Sequence, residues 1–251
     1  KLFRMYGCTR VQLGVQHTDN DILKKINRDS TIQDTKDAIK LLKDNGFKVD
    51  IHIMPNLPGS SPDKDYVMFN KILTDPDLQA DQWKIYPCEI VPWTVIKKWF
   101  EDSKYKPYGE SELYKLLIYV KEKVHPWIRL NRVIRDIPSQ YILGDGNIPN
   151  IRQYLAIKMK EKGLKCNCIR CREIGLCKDI IKKKNEIQNA ILVIRDYKAS
   201  GGTEYFISFE SKDEKYIYGF CRLRLSKELG YIDDIKPRIR RKNKEDNIEK
   251  K

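Results

Sequence analysis

Short runs of hydrophobic residues with two different periods alternate along the first half of the chain. Residues 11–16, Val-Gln-Leu-Gly-Val-Gln, form a β-branched run ending on a polar side chain, which predicts a strand. A helical stretch over 19–26 follows, with Ile22, Leu23 and Ile26 on one face. A second helix over 31–45 places Ile32, Thr35, Ala38, Ile39 and Leu42 at helical spacing. Ser30 or Thr31 caps its start and Gly46 suits its end. A strand over 47–54 stops at Pro55, and the Pro- and Gly-rich stretch 55–62 reads as a shaped turn. Then come a helix over 65–73, a strand over 83–87, helices over 95–100 and 111–124, and an extended segment over 128–134.

This alternation is the signature of parallel β/α units in a barrel or an open sheet. In such folds chemistry gathers at the C-terminal ends of the strands. Those ends carry Gln16, Met54 with His52 just behind it, and Lys84 with Tyr86. His52 alone also reads as a core histidine with satisfied nitrogens. Lys84 in an apolar strand requires a partner, and a carboxylate or phosphate fits.

The grammar changes in the second half. A helix over 151–161 is closed by Gly163, and a cysteine cluster and a basic segment follow. Strands over 190–197, 204–210 and 217–225 are separated by Ser200-Gly201-Gly202 and by residues 211–215, which predicts antiparallel hairpins and a second domain. The last twenty or so residues, with Arg238-Ile239-Arg240-Arg241-Lys242, read as a basic loop or tail.

Composition narrows this picture. Across 251 residues, 41% hydrophobic and 10% aromatic content is globular rather than disordered. No basic-then-apolar leader opens the chain, and no apolar run approaches the roughly 20 residues of a membrane helix. The expectation is a soluble cytoplasmic protein without a membrane partner. Forty-nine Lys and Arg against 35 Asp and Glu leave a net charge of +14, which favours polyanionic partners through counterion release. A lysine-biased composition would give the same excess. Arg129, Arg132 and Arg135 lie within seven residues and form an arginine track suited to an RNA backbone. A solvated edge with local salt bridges is the competing reading.

Seven cysteines are an odd number, and Cys166, Cys168 and Cys171 sit within six residues, unlike a secreted disulfide framework. Zinc takes four N or S ligands, and closely spaced thiolates form half of such a site. Cys177 is the nearest fourth ligand; Cys8, Cys88 and Cys221 could reach only through the fold, and three idle thiols or an iron–sulfur site are the competing readings.

These stretches together resemble the Elongator catalytic subunit family. The matching residues are 7–16, Asn27-Arg28, Gly46 to Val49, Met54 to Gly59, Lys84-Ile85-Tyr86-Pro87, Arg132 to Pro138, Asn150-Ile151-Arg152, Cys166 to Gly175 and Gly201 to Glu204. The resemblance implies an α/β fold in three parts: the C-terminal part of a TIM-type radical-SAM barrel over 1–150, a helical zinc-binding linker over 151–186, and the truncated start of a GNAT-type α+β acetyltransferase domain over 187–251. It implies a tRNA carboxymethyluridine synthase that forms 5-carboxymethyluridine at the wobble position from acetyl-CoA. The implied cofactors are S-adenosylmethionine (SAM), an iron–sulfur cluster and zinc. Gln16, Met54, Lys84 and Tyr86 would line the SAM side. Cys166, Cys168, Cys171 and Cys177 would hold zinc, and Arg129, Arg132, Arg135 and Arg152 would face tRNA. Elongator-like subunits or a second copy are the implied protein partners. By the family's pattern the cluster-binding cysteines lie upstream of residue 1 and the CoA-binding loop beyond residue 251. The expectation is therefore an inactive internal fragment. A non-catalytic tRNA-binding zinc module is the alternative.

Overall fold

A computed structural model of the chain describes residues 2–134, 142–143, 151–176 and 187–226. Arg135, Cys177 and the basic stretch from Arg238 lie outside them, as does the segment leading to Lys184. The first sheet is parallel throughout, in the order β1 (Arg10–Gln16), β2 (Lys48–Ile53), β3 (Gln82–Ile85), β4 (Arg129–Arg132).

One face of this sheet is apolar. Val15, Val49, Ile51, Ile53, Trp83, Ile85 and Leu130 point into the core, where they join residues of α3 (Ile32–Asp44), α4 (Pro62–Thr74), α6 (Glu110–Lys123) and α7 (Ile151–Glu161). Burial of this face supplies the main driving force for the fold. The shorter α1 (Leu2–Met5), α2 (Asn20–Lys25) and α5 (Val95–Glu101) complete the first half.

Local capping sets the starts of α3 and α4. Thr31 accepts from the Asp34 N–H while the Asp34 carboxylate accepts from the Thr31 N–H, a reciprocal capping box. Helix α4 begins at Pro62, three residues earlier than the sequence predicts. Ser61 caps it, and Pro62 in the first turn has no N–H to satisfy. β3 ends at Ile85, so Tyr86 and Pro87 already belong to the loop.

The second sheet is an antiparallel meander of β5 (Ile191–Ala199), β6 (Gly202–Glu210) and β7 (Ile217–Leu225). Ser200 and Gly201 join β5 to β6 with φ of 45° and 78°, suited to a two-residue hairpin turn. Its inner face carries Glu204, Phe206, Ser208 and Glu210, all buried. The opposite face carries Leu192, Ile194, Phe209, Leu223 and Leu225, all exposed among the described residues.

This sheet docks on the end of the first where β3 and β4 begin. Trp127 stacks on Tyr197 with centroids 4.3 Å apart, and His125 stacks on Trp127 at 4.5 Å. Arg222 from β7 bonds to the Trp127 carbonyl and meets Asp81 at 3.1 Å. Between the two sheets lie the cysteines, with Cys168 capping the short α8 (Ile169–Arg172). No helix among the described residues is long and apolar enough to cross a membrane.

Candidate functional site

The second face of the parallel sheet is polar. β2 reads Lys-Val-Asp-Ile-His-Ile, so Val49, Ile51 and Ile53 enter the core while Asp50 and His52 face the other way. Register aligns Gln12, Asp50 and Gln82 across three strands, with Gly14, His52 and Lys84 in the next row. The Lys84 Nζ donates to Gln12 Oε1 at 2.9 Å and lies 3.7 Å from Asp50 Oδ2. Asn131 Nδ2 donates to Asp50 Oδ2 at 3.0 Å and to Gln82 Oε1 at 2.6 Å.

Three buried polar atoms on this face have no hydrogen-bond partner among the described residues: Gln16 Oε1, Asp50 Oδ1 and His52 Nε2. Buried polar atoms are ordinarily paired, so an orphaned cluster points to a group that pairs with them. His52 Nε2 is thus left unsatisfied by the described residues, unlike a core histidine with both nitrogens paired. Burial, and then the Lys84 charge, push the His52 imidazole below its ordinary value, which keeps it neutral at pH 7.

Gln16 sits at a bulge between β1 and β2 with φ of 64°, a left-handed conformation costly for a side chain that is not Gly or Asn. A Cβ on Gly14 would meet Gln16 Nε2 at 2.9 Å and Arg28 Nη2 at 3.2 Å. Arg28 in turn donates to the Gly14 carbonyl at 2.6 Å. Gly14 therefore makes the space in which the Gln16 amide lies.

The other predicted residues of this end are close by. The Tyr86 and His52 rings meet nearly perpendicular, with centroids 5.5 Å apart. Met54 bonds through its N–H to the Gln16 carbonyl at 2.8 Å, while its side chain packs against the Ile22, Leu57 and Cys88 cluster. Asp50 and Asn131 are members that sequence reasoning missed. Polar residues alternating inside a parallel strand were the available signal, because parallel strands buried on both faces read as continuous apolar runs.

Beneath this face, fully buried Asp65 fastens the strand-end loops. Its carboxylate accepts from the Asn56 N–H at 2.7 Å, the Ser60 hydroxyl at 2.6 Å and the Tyr108 hydroxyl at 2.7 Å. His17 Nε2 reaches it at 3.1 Å. Because His17 Nδ1 accepts the Asp19 N–H at 3.0 Å, the proton of a neutral His17 sits on Nε2 and points at Asp65.

A second constellation lies between the sheets. The sulfurs of Cys166, Cys168 and Cys171 are all within 4.8 Å of one another. Tetrahedral zinc with bonds of about 2.3 Å separates its sulfurs by about 3.8 Å, so the triad fits three corners. Thiol donors from Cys166 and Cys168, and then Lys121 and Arg152, hold the Cys171 thiol far below its ordinary value. Cys166, sharing hydrogen bonds with both neighbours, is pushed up. Cys8, Cys88 and Cys221 stand apart from this group. The Cys88 thiol is pushed up to about 12 by burial, so it is an inert core group.

Beside the cysteines runs a cleft of about 810 Å³ lined by Lys121, Arg152, Lys160, Lys165, Arg170 and Lys215, with Asp213 and Glu214 at one lip. The arginine track is partly engaged. Arg129 pairs with Glu173, which also holds Arg170 at 2.7 Å, while Arg152 donates to the Leu130 carbonyl at 2.9 Å. Arg132 is exposed.

Comparison with known proteins now bears on both constellations. Residues 1–69 match the radical SAM superfamily and residues 80–161 its C-terminal domain. The tRNA uridine(34) acetyltransferase of Methanocaldococcus infernus is 42% identical over 221 residues, covering 87% of this chain and 41% of the relative. That of Dehalococcoides mccartyi is 39% identical over 224 residues, 88% of this chain and 47% of the relative. Human Elongator complex protein 3 is 35% identical over 223 residues, 89% and 40% respectively. The solved structure of archaeal M. infernus Elp3 with an N-terminal deletion superimposes with a TM-score of 0.82 at 40% identity, covering 89% of this chain and 53% of that one. The chain thus spans less than half the length of these three sequence relatives and about half of the solved chain.

Proposed function

The chain belongs to the radical SAM superfamily, and from that premise we propose that it forms part of an enzyme modifying the wobble uridine of tRNA, making 5-carboxymethyluridine from acetyl-CoA. The relatives named for this tRNA chemistry support the substrate class. The observation that carries the reading is the polar face of the parallel sheet, where Gln16 Oε1, Asp50 Oδ1 and His52 Nε2 lack partners among the described residues beside Lys84.

That face fits SAM by its chemistry. Neutral acceptors and a buried carboxylate suit the amino group and the hydroxyls of that molecule, which are donors. SAM with an iron–sulfur cluster supplies the radical that activates the acetyl group in this family. Gln16, Lys84 and Tyr86 would orient SAM, with Asp50 and Asn131 fixing Lys84, and Met54 closing the apolar rim. Zinc would be held by Cys166, Cys168 and Cys171, with Cys177 as the fourth ligand. The three parts would run over 1–150, 151–186 and 187–251, the last being the start of an acetyltransferase sheet.

Equilibrium dialysis of labelled SAM against the chain tests this reading at its base. Saturable binding that is lost in Gln16→Ala and Lys84→Ala supports it, and absence of saturable binding overturns it. At the level of the reaction, protein from the complete reading frame, reconstituted anaerobically with iron and sulfide, should convert wobble uridine to 5-carboxymethyluridine in the presence of SAM and acetyl-CoA.

The basic cleft beside the cysteines favours a second reading, a tRNA-binding zinc module without catalysis. Under it, tRNA binding weakens steeply with salt, since phosphate neutralisation releases counterions, while SAM does not bind.

A further inference from the structure

Lys121 occupies the last turn of α6, a position where lysine ordinarily reaches water and favours the helix dipole. Here it is 2% exposed, among Leu117, Val120 and Val124. A buried ammonium needs a nearby anion or a set of acceptors. The described residues supply one: Nζ lies 3.6 Å from Cys171 Sγ, across 50 positions of sequence. Arg152 on α7 adds a second cation at the same cluster, its guanidinium fixed by the carbonyls of Leu130 and Asn131 at 2.9 and 3.4 Å. Helices α6 and α7 therefore bring two positive charges to these thiols.

We propose that Lys121 is a positioning residue for the metal knuckle, donating an N–H to the Cys171 sulfur and fastening the knuckle to α6. The inference rests on the zinc reading of Cys166, Cys168 and Cys171. Zinc with three thiolates carries one net negative charge, and with four it carries two. Two buried-side cations match that charge, so the centre can sit in the core of the molecule without an uncompensated ion. An N–H donor also withdraws electron density from the sulfur and fixes its lone-pair direction, the role that carboxylates and carbonyls fill for metal-bound histidines. The linker is thereby keyed to the barrel-side helices by a metal ligand as well as by apolar packing.

The test compares the parent chain with Lys121→Met, which keeps the aliphatic stem and loses charge and donor, and Lys121→Arg, which keeps both. Zinc release to a colorimetric chelator should be about 10–100-fold easier from the Met variant and near the parental level in the Arg variant. In the cobalt-substituted protein, the sulfur-to-cobalt charge-transfer band should move to lower energy in the Met variant alone, a change that loss of packing does not produce. If Lys121→Met does not fold, Lys121→Leu takes its place and should also release zinc more easily than the parent. Parental zinc affinity and an unchanged cobalt spectrum in whichever variant folds would overturn the proposal. A parent chain that takes up no zinc also overturns it, and that result traces to the zinc reading rather than to Lys121.

Discussion

Lys43 on α3 and Glu204 on β6 meet at 2.6 Å across 161 positions of sequence, with both side chains at most 5% exposed. Around them Asp81 lies 3.5 Å from Lys43 and 3.1 Å from Arg222. Arg224 reaches Asp44 at 2.7 Å and Glu204 at 3.3 Å, and the Tyr197 hydroxyl donates to Glu204 at 2.6 Å. The two sheets are joined by a buried ionic cluster next to the Trp127–Tyr197 stack. Removing one member strands the others. Lys43→Met should therefore cost about 3–5 kcal/mol of stability, measured by urea unfolding, while an exposed pair such as Lys115–Glu112 should cost well under 1 kcal/mol when broken. Equal effects would mean that the cluster is solvated.

The same cluster makes the junction sensitive to acid. Burial alone would raise the Asp81 carboxyl, but the charges of Lys43 and Arg222 outweigh it and hold the group below its ordinary value. Glu210 is likewise held down, against burial, by Arg195, Ser208 and Arg172. An acid depressed in the folded state stabilises it above the unfolded value, near pH 4, and that contribution is lost as pH falls through the folded value. Tryptophan fluorescence should report loss of the Trp127–Tyr197 stack below about pH 4, shifted to higher pH in Lys43→Met. A flat response between pH 6 and pH 3 would contradict this.

Asp65 should be the least replaceable carboxylate of the first domain. Asn at this position turns an NH2 towards one or more of four donors: the Asn56 N–H, the Ser60 and Tyr108 hydroxyls and His17 Nε2. Asp65→Asn should destabilise the chain by about 3 kcal/mol, read as a lowered melting temperature. A melting temperature within a degree or two of the parent would show that waters replace the lost bonds.

How much of this could be read in advance depended on sequence distance. The elements were legible because each rests on local periodicity, as Ile32, Ile39 and Leu42 show for α3. The start of α4 was misjudged because Pro62 suggests a loop, yet it suits a first helical turn once Ser61 is recognised as the cap. The cysteine triad was legible since its spacing is local. Asp65 and His17 were not, being partners 48 positions apart with nothing unusual in either neighbourhood. Nor was the Lys43–Glu204 contact, which exists only because a hairpin docks beside α3. Likewise, the pairing of Arg129 with Glu173 spans 44 positions, beyond the local salt bridges that the sequence suggests.

At the polar face, Gly14→Ala isolates the contribution of the Gln16 amide. The new methyl group would lie 2.9 Å from Gln16 Nε2 and 3.2 Å from Arg28, both ends of movable side chains. The fold should lose about 1–3 kcal/mol or less, because these groups can shift. SAM binding should fall much further, since Gln16 would be displaced from the face it shares with Lys84. Dialysis showing undiminished SAM affinity in a well-folded Gly14→Ala chain would remove Gln16 from the binding set.

Metal removal should act locally rather than globally. Cys168 is fully buried and caps α8, and the Ile169 N–H bonds to the Ile128 carbonyl at 3.0 Å, so the knuckle is stitched to the start of β4. In isolated zinc-finger peptides the metal contributes about 10–16 kcal/mol because no other core exists. Here the apolar cluster of the parallel sheet and its helices takes in Cys168, with Cys166 packed against it, but draws most of its members from β1–β4, α3, α4, α6 and α7 and holds together by their burial. Chelation, or Cys168→Ser, should therefore leave α3, α4 and α6 protected from hydrogen exchange. Residues 163–176 and the β5–β7 sheet docked through Arg172 and Glu210 should become exchangeable and open to protease. Uniform loss of protection across the chain would show instead that zinc holds the whole fold, and unchanged protection everywhere would show that the triad is not a structural metal site.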